Sequence, residues 1–282
     1  MRKIIVPVDF SENSWNALKC AIQYFKYEIS TFYIVHAYAD EVYQNTSSTS
    51  REVLDENKIL VKNKVIAQFN TLQKRILDYS PIPKHDYIMM PRFGTLLDEL
   101  NDIADQENAD CIVMGTHGAG DNRSLTFGSQ TLQILKYVKC PILAIPAQWE
   151  YTRPDSIVFP TDFMVPYNRR ELKLLSCLSG SYRSKVQLLY VSEFEKLSLR
   201  QEDNKLLIED SFRENEISYT ALKEKKVTDG INSFIIKNNC NLLVMVNSRH
   251  SYMESFLVNS KIDAFSLTTK IPFLILQNLP RS

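Results

Sequence analysis

The second half of this chain repeats the first. SIVFPTDFMVPYNRREL, starting at Ser156, copies KIIVPVDFSENSWNAL, starting at Lys3, with Pro160, Asp162 and Phe163 standing for Pro7, Asp9 and Phe10. Further on, LLVMVNSRHSYMESFLVNSKIDAFSLTTKIPFLIL copies CIVMGTHGAGDNRSLTFGSQTLQILKYVKCPILAI, and the offset holds across Met114/Met245, Ser129/Ser260 and Pro141/Pro272. A repeat this long decides the domain count before any other reading. A length of 282 residues with 44% hydrophobic content suits two domains, each with its own core. QWEYTRPD, from Gln148 to Asp155, interrupts the apolar pattern, which sets the expected domains at 1–148 and 154–282.

Each half alternates short apolar runs with helical patterns, the signature of parallel sheets built from βαβ units. In the first half, strands are predicted near Ile4 to Val8, Phe32 to Ala37, Tyr87 to Met90, Ile112 to Met114 and Ile142 to Ile145. Trp15, Leu18, Ile22 and Phe25 recur at helical spacing, as do Val61, Val65, Phe69, Leu72, Ile76 and Tyr79, and both stripes read as core-facing. Leu96, Leu100 and Ile103 form a shorter stripe of the same kind. The polar run QNTSSTS, Gln44 to Ser50, reads as a loop after the second strand, serving either as a ligand cover or as a solvated linker.

Between CIVM and the helical pattern SQTLQILKYV, Gly115, Gly118 and the pair Gly128-Ser129 stand in the spacing G-x2-G-x9-G-S, in a chain with only seven glycines. They fall on the C-terminal side of a strand, where open α/β sheets bind ligands. Gly115 and Gly118 would let backbone approach a ribose or phosphate, and Gly128 would permit a tight entry into the helix. The unpaired N–H groups of that helix start, with Ser129, would favour an anion. An ordinary glycine-containing loop capped by Ser129 fits the same spacing.

This glycine pattern, with the opening V-P-x-D-F-S element, resembles the ATP-binding type of the universal stress protein family, and the resemblance runs over essentially the whole chain. It implies an α/β fold of two tandem, doubly wound, five-stranded parallel sheets, adenine nucleotide hydrolase-like. The last strands of the halves, ILAIP and FLILQ, would pair as an internal pseudo-dimer, which also covers two apolar edges. A homodimer of whole chains is left open. The resemblance places adenine near Pro7, Val8 and Asp9 at the end of the first strand, and near Val35 and His36 at the end of the second. It places Met114, Gly115, His117, Gly118, Gly128, Ser129, Gln130 and Thr131 around the ribose and phosphates. Asp9 has a second reading as a helix-capping residue in D-F-S-E-N. Arg123 lies in the glycine loop, as a phosphate contact or a solvated side chain, and His117 has no evident carboxylate partner.

In the second half, Gly115 becomes Val246, Gly118 becomes Arg249 and Gly128 becomes Asn259, while Ser260 remains. The added side-chain volume at Val246 and Arg249, and the lost option of positive φ there, point to a single nucleotide site in the first half, while Asn259 could still adopt a left-handed conformation. The implied cofactor is ATP, or ADP or AMP, with Mg²⁺ held by phosphates and water, since no clustered carboxylate motif supplies a cage. No G-x4-G-K-[ST] loop and no kinase motif set is present, so the expected role is a non-catalytic sensor or regulator whose glycine loop responds to occupancy. A slow ATPase, and a scaffold with a vestigial site, are the competing readings; an unidentified protein partner fits either regulator or scaffold.

Lys plus Arg equals Asp plus Glu at 33 each, so no overall basic field draws the chain to nucleic acid or an anionic membrane. No apolar stretch reaches membrane-spanning length, and the first residues lack a secretory pattern. The five cysteines include no C-x-x-C pair, and they read as buried thiols without a metal site. Together these features suggest the cytoplasm.

Overall fold

A strand covered on both faces by helices reads as a continuous apolar run, and the central runs of this chain do so. The computed structural model describes all residues except 45–49, 117–127, 168, 194–195, 249–250, 254–269 and 279–282. In the first half β1 (Arg2–Pro7), α1 (Glu12–Tyr24), β2 (Ser30–Ala37), α2 (Ala39–Gln44) and α3 (Arg51–Tyr79) come first. β3 (His85–Arg92), α4 (Leu96–Gln106), β4 (Cys111–Gly115), α5 (Ser129–Tyr137) and β5 (Ile142–Ile145) follow. The second half supplies β6 (Ser156–Pro160), α6 (Arg169–Tyr182), β7 (Lys185–Ser192), α7 (Leu199–Ser211), β8 (Glu216–Lys223), α8 (Val227–Lys237), β9 (Leu242–Asn247) and β10 (Phe273–Gln277).

All ten strands form one sheet in the order β3-β2-β1-β4-β5-β10-β9-β6-β7-β8. Every pairing within a half is parallel, and the halves meet where β10 runs antiparallel to β5, with Leu274 opposite Leu143. The expected pairing of the two last strands is therefore how the halves join. Alternation along these strands sends Leu143, Ile145, Leu274 and Leu276 to one face and Ile142, Ala144, Phe273 and Ile275 to the other. Each face thus has a hydrophobic layer that continues across the seam. Leu18, Ile22, Val65 and Phe69 of α1 and α3 cover the first face, and Leu100, Ile103, Leu132 and Leu135 of α4 and α5 cover the second.

The two halves also share backbone detail. Phe10 and Phe163, at the ends of β1 and β6, both adopt positive φ, at 59° and 56°. Left-handed backbone costs a non-glycine residue roughly 1–2 kcal/mol. Ring packing offsets it, since Phe163 is fully buried and Phe10 lies 5.3 Å from the Phe69 ring. This turn swings the chain from the strand into its helix. Asn108 and Asn239, before β4 and β9, match in the same way, at 50° and 49°.

α2 was not anticipated; six residues are too few to show periodicity. Gln44 closes that helix and Ser50 precedes α3, while the rest of the expected loop lies outside the described residues. The predicted helical stripes are buried except for Leu96, which is half-buried, and Tyr79, which is exposed. All five cysteines are free thiols, and four of them are buried. Among the described residues no helix is long and apolar enough to cross a membrane.

Beyond the seam, tyrosines tie the halves together. The Tyr182 hydroxyl of α6 donates to the Gln23 carbonyl of α1 at 2.6 Å and lies 3.1 Å from the Tyr151 hydroxyl, which donates to it. Burial pushes the Tyr182 phenol well up, so it remains a donor. Tyr182→Phe removes the bond to Gln23 and leaves the Tyr151 hydroxyl without its acceptor, and we expect a loss of about 2 kcal/mol in urea denaturation, in line with two hydrogen bonds.

Candidate functional site

In the order β3-β2-β1-β4-β5 the chain winds one way from β1 to β2 and the other way to β4, which creates a crevice at the carboxyl ends of β1 and β4. A cavity of about 190 Å³ occupies that crevice. Pro7, Val8 and Asp9 reach it from β1, His36 and Ala37 from β2, and Met114 and Gly115 from β4. Gln130 and Thr131 reach it from the first turn of α5. Val35 does not line the cavity; it is fully buried, and its carbonyl accepts the Val8 N–H at 2.8 Å. Gly128 is buried behind the helix start, and the side chain of Ser129, like the whole of His117, Gly118 and Arg123, lies outside the described residues.

His36 works as a strut. Its Nδ1 lies 2.7 Å from the Val8 carbonyl, which accepts only, so the proton sits on that nitrogen. Its Nε2 lies 2.9 Å from Glu41 Oε1, and Lys64 donates to Glu41 Oε2 at 3.3 Å. The ring also packs 4.8 Å from Phe10. Both nitrogens are thus spent on holding the end of β1 against α2.

The passage from β4 to α5 is pinned at both ends. The Thr116 N–H goes to the Ile145 carbonyl at 2.9 Å, and the Thr116 carbonyl accepts from the Gly128 N–H at 2.8 Å and from Thr131 Oγ1 at 3.1 Å. Gly128, not Ser129, is the N-cap of α5, in extended conformation with no side-chain cap. A helix that starts this way leaves its first N–H groups unclaimed by a capping side chain, and the first turn carries no acidic residue. The alternative of Ser129 as an ordinary cap is therefore corrected. Among the described residues no glycine has positive φ. Gly115 thus contributes a missing side chain and not backbone freedom, which also corrects one of the two reasons given for the effect of Val246.

Asp9 does not cap α1; Ser11 does, accepting from the Ser14 N–H. Asp9 Oδ1 accepts from the Ser11 N–H at 3.0 Å, and Asp162 Oδ1 accepts from the Met164 N–H at 3.0 Å in the second half. This local turn appears in both halves, which ties the carboxylate to the turn as well as to the cavity. Asp9 and Asp40 are both exposed at the cavity.

Sequence reasoning missed Ser14, Ala37, Asp40 and Leu96 as lining residues. Ser14 follows from the cap at Ser11, and Leu96 was assigned to the core stripe. Ala37 lines the cavity at the very end of β2, where its type carries no signal, and Asp40 rides on the unanticipated α2.

Sheet register shows what replaces the site in the second half. Ile4 pairs with Cys111 and Ile157 with Leu242, so the residue four further along is Gly115 in one half and Val246 in the other. Val246 is buried. Arg249, Asn259 and Ser260 lie outside the described residues. Among the described residues no group of three or more His, Cys, Asp or Glu side chains could hold a metal ion.

A ten-stranded, largely parallel sheet with a crevice at a switch point defines a class of α/β protein that places ligands at strand ends. The chain belongs to the universal stress protein family, whose model matches residues 1–146. Over nearly full length it is similar to a universal stress protein from Archaeoglobus fulgidus DSM 4304, at 14% identity and a TM-score of 0.65, covering 98% of this chain and 96% of that one. It is also similar to a functionally unknown protein from Pseudomonas aeruginosa PAO1, at 11% identity and a TM-score of 0.58, covering 98% and 92%. A putative universal stress protein from Pseudomonas aeruginosa UCBPP-PA14 matches at 9% identity and 0.56, covering 98% and 93%. These likenesses speak for the fold alone. No curated protein sequence matches the chain.

Thr131 holds the helix start to the Thr116 carbonyl, so Thr131→Val should cost about 1 kcal/mol in a denaturant titration. It should also speed exchange of the Gly128 amide, which shares that carbonyl.

Proposed function

We propose that residues 1–148 bind one adenine nucleotide, ATP or its ADP or AMP relatives, in the crevice between β1 and β4, and that occupancy regulates and does not drive catalysis. The reading rests chiefly on the uncapped start of α5 beside the cavity, because a helix N-terminus with free N–H groups favours an anion. Charge sets the orientation. Asp9 and Asp40 repel phosphates and suit ribose hydroxyls or an amino group, so the base and sugar lie toward β1 and α2 and the phosphates toward α5. Ligand pockets usually exceed about 300 Å³. At about 190 Å³ the cavity suits only part of a nucleotide, with the remainder running over the α5 start. Mg²⁺ would be held by phosphates and water.

A regulatory role is supported by His36, whose ring nitrogens both face other groups and so leave no general base there. Regulation requires that the nucleotide bind one conformation more tightly than another. The junction of Thr116, Gly128 and Thr131 links the cavity to the helix start and is the described part through which occupancy would act. Residues 154–282 are read as a second universal stress protein unit that has lost the site at Val246, and the protein partner of the regulator is unidentified. Balanced charge argues against nucleic acid and membrane as partners, and the free thiols suit the cytoplasm.

Nucleotide released from denatured protein, or counted by titration calorimetry with ATP and Mg²⁺, should amount to one per chain. Gly115→Val, which copies the second half, should weaken binding by about 100-fold, or roughly 2.7 kcal/mol, with the far-ultraviolet spectrum unchanged. Two nucleotides per chain, or none, would sink the reading.

A further inference from the structure

The second half carries its own crevice at the ends of β6 and β7, about 480 Å³ in volume, and Tyr252 lines it from the segment that follows β9. The contacts of Tyr252 are specific. Its hydroxyl donates to the Val191 carbonyl at 2.7 Å and accepts from the Val191 N–H at 3.3 Å. One hydroxyl thus satisfies both backbone groups of a single residue.

The sheet register identifies the counterpart of Val191. The Val8 N–H bonds the Val35 carbonyl, and the Thr161 N–H bonds the Leu189 carbonyl in the same way, so Val35 matches Leu189 and Ala37 matches Val191. Alternate residues of a strand bond opposite neighbours. Since Val35 bonds toward β1 and the Tyr38 N–H goes to Arg92, the last residue of β3, Ala37 turns its N–H and C=O past the end of β1, where it lines the first cavity. A residue of β2 therefore offers a donor and an acceptor side by side in the first half. In the second half the same pair is filled by a side chain.

We propose that Tyr252 is an internal stand-in for a ligand, occupying at Val191 the donor–acceptor edge that Ala37 presents to a ring bearing a nitrogen beside an amino group. The chemical class is an aminopurine or aminopyrimidine base; the inference rests on the reading that the first cavity takes an adenine base. Burial keeps the Tyr252 phenol protonated, so it donates across the physiological range. The second crevice is then closed to a base by its own chain, in addition to the loss of ribose and phosphate space at Val246. Removing the stand-in reopens a base subsite and not a full nucleotide site.

The probe is free adenine, titrated into the full chain and followed by equilibrium dialysis. Tyr252→Ala should take up one further equivalent relative to the unmodified chain, and it is this difference that tests the proposal. The count for the unmodified chain tests the first cavity, so a value of zero there undermines the adenine reading without touching the comparison. Equal uptake by the two proteins, with matching circular dichroism, overturns the stand-in. If Tyr252→Ala does not fold, Tyr252→Phe decides, because it removes only the hydroxyl. Exchange of the Val191 amide should then accelerate roughly tenfold while Val186 and Leu188 stay protected; unchanged Val191 exchange overturns the proposal.

Discussion

β5 and β10, strands of four and five buried residues, would each be a bare apolar edge if its half stood alone. An exposed edge with unpaired N–H and C=O groups invites pairing with another chain. Joining them antiparallel satisfies both edges and extends two hydrophobic layers through the molecule. It also sets direction. Strands of the second half run opposite to those of the first, so the carboxyl ends of β1 and β6 point to opposite margins of the sheet. One ligand cannot span the two crevices, and the seam and the ties at Tyr182, Tyr151 and Gln23 are routes by which they could be coupled.

Much of this frame was readable from residue order. Apolar runs covered on both faces announce themselves, and the family resemblance implied which strands would meet, in keeping with the apolar edge that each half had to cover. Element ends were harder: β1 starts at Arg2 and β3 reaches Arg92, since ladder pairing extends beyond the apolar stretch that signals it. The site was legible where residue type carries the chemistry, as at Asp9, Gly115 and Thr131. It was not legible where direction carries it. Nothing in the identity of Ala37 or Val191 tells which way a peptide unit points, and Tyr252 looks like any aromatic until its hydroxyl is seen on the backbone. The alternative of Ser129 as the cap gave way because Gly128 already adopts the extended cap conformation and Ser129 opens the helix.

The two halves separate architecture from ligand chemistry within one molecule. Phe10 and Phe163 keep the same left-handed turn, and Asp9 and Asp162 keep the same hydrogen bond to the residue two further on. The second half holds them although Val246 stands where Gly115 should, so the turn and its carboxylate need no nucleotide to account for them. Left-handed backbone at a phenylalanine is unfavourable by itself. Its presence in both halves means that it serves the strand-to-helix reversal that packs α1 and α6 on the sheet. Asp9 is first a structural residue whose exposed carboxylate also lines a cavity.

Among the described residues, what the first half offers a ligand beyond the shared turn is then small: Gly115, the start of α5 without a side-chain cap, and the open edge at Ala37. Each is an absence of something the chain could have supplied, a side chain, a capping oxygen or a stand-in hydroxyl. On the proposed reading, a site made by leaving backbone groups available is easily closed, because one valine or one tyrosine would be enough and the sheet beneath need not change. The converse also holds. Backbone donors and acceptors recognise the edge of a base and the charge of a phosphate without demanding any particular side chain, so very different sequences can carry the same crevice on this fold.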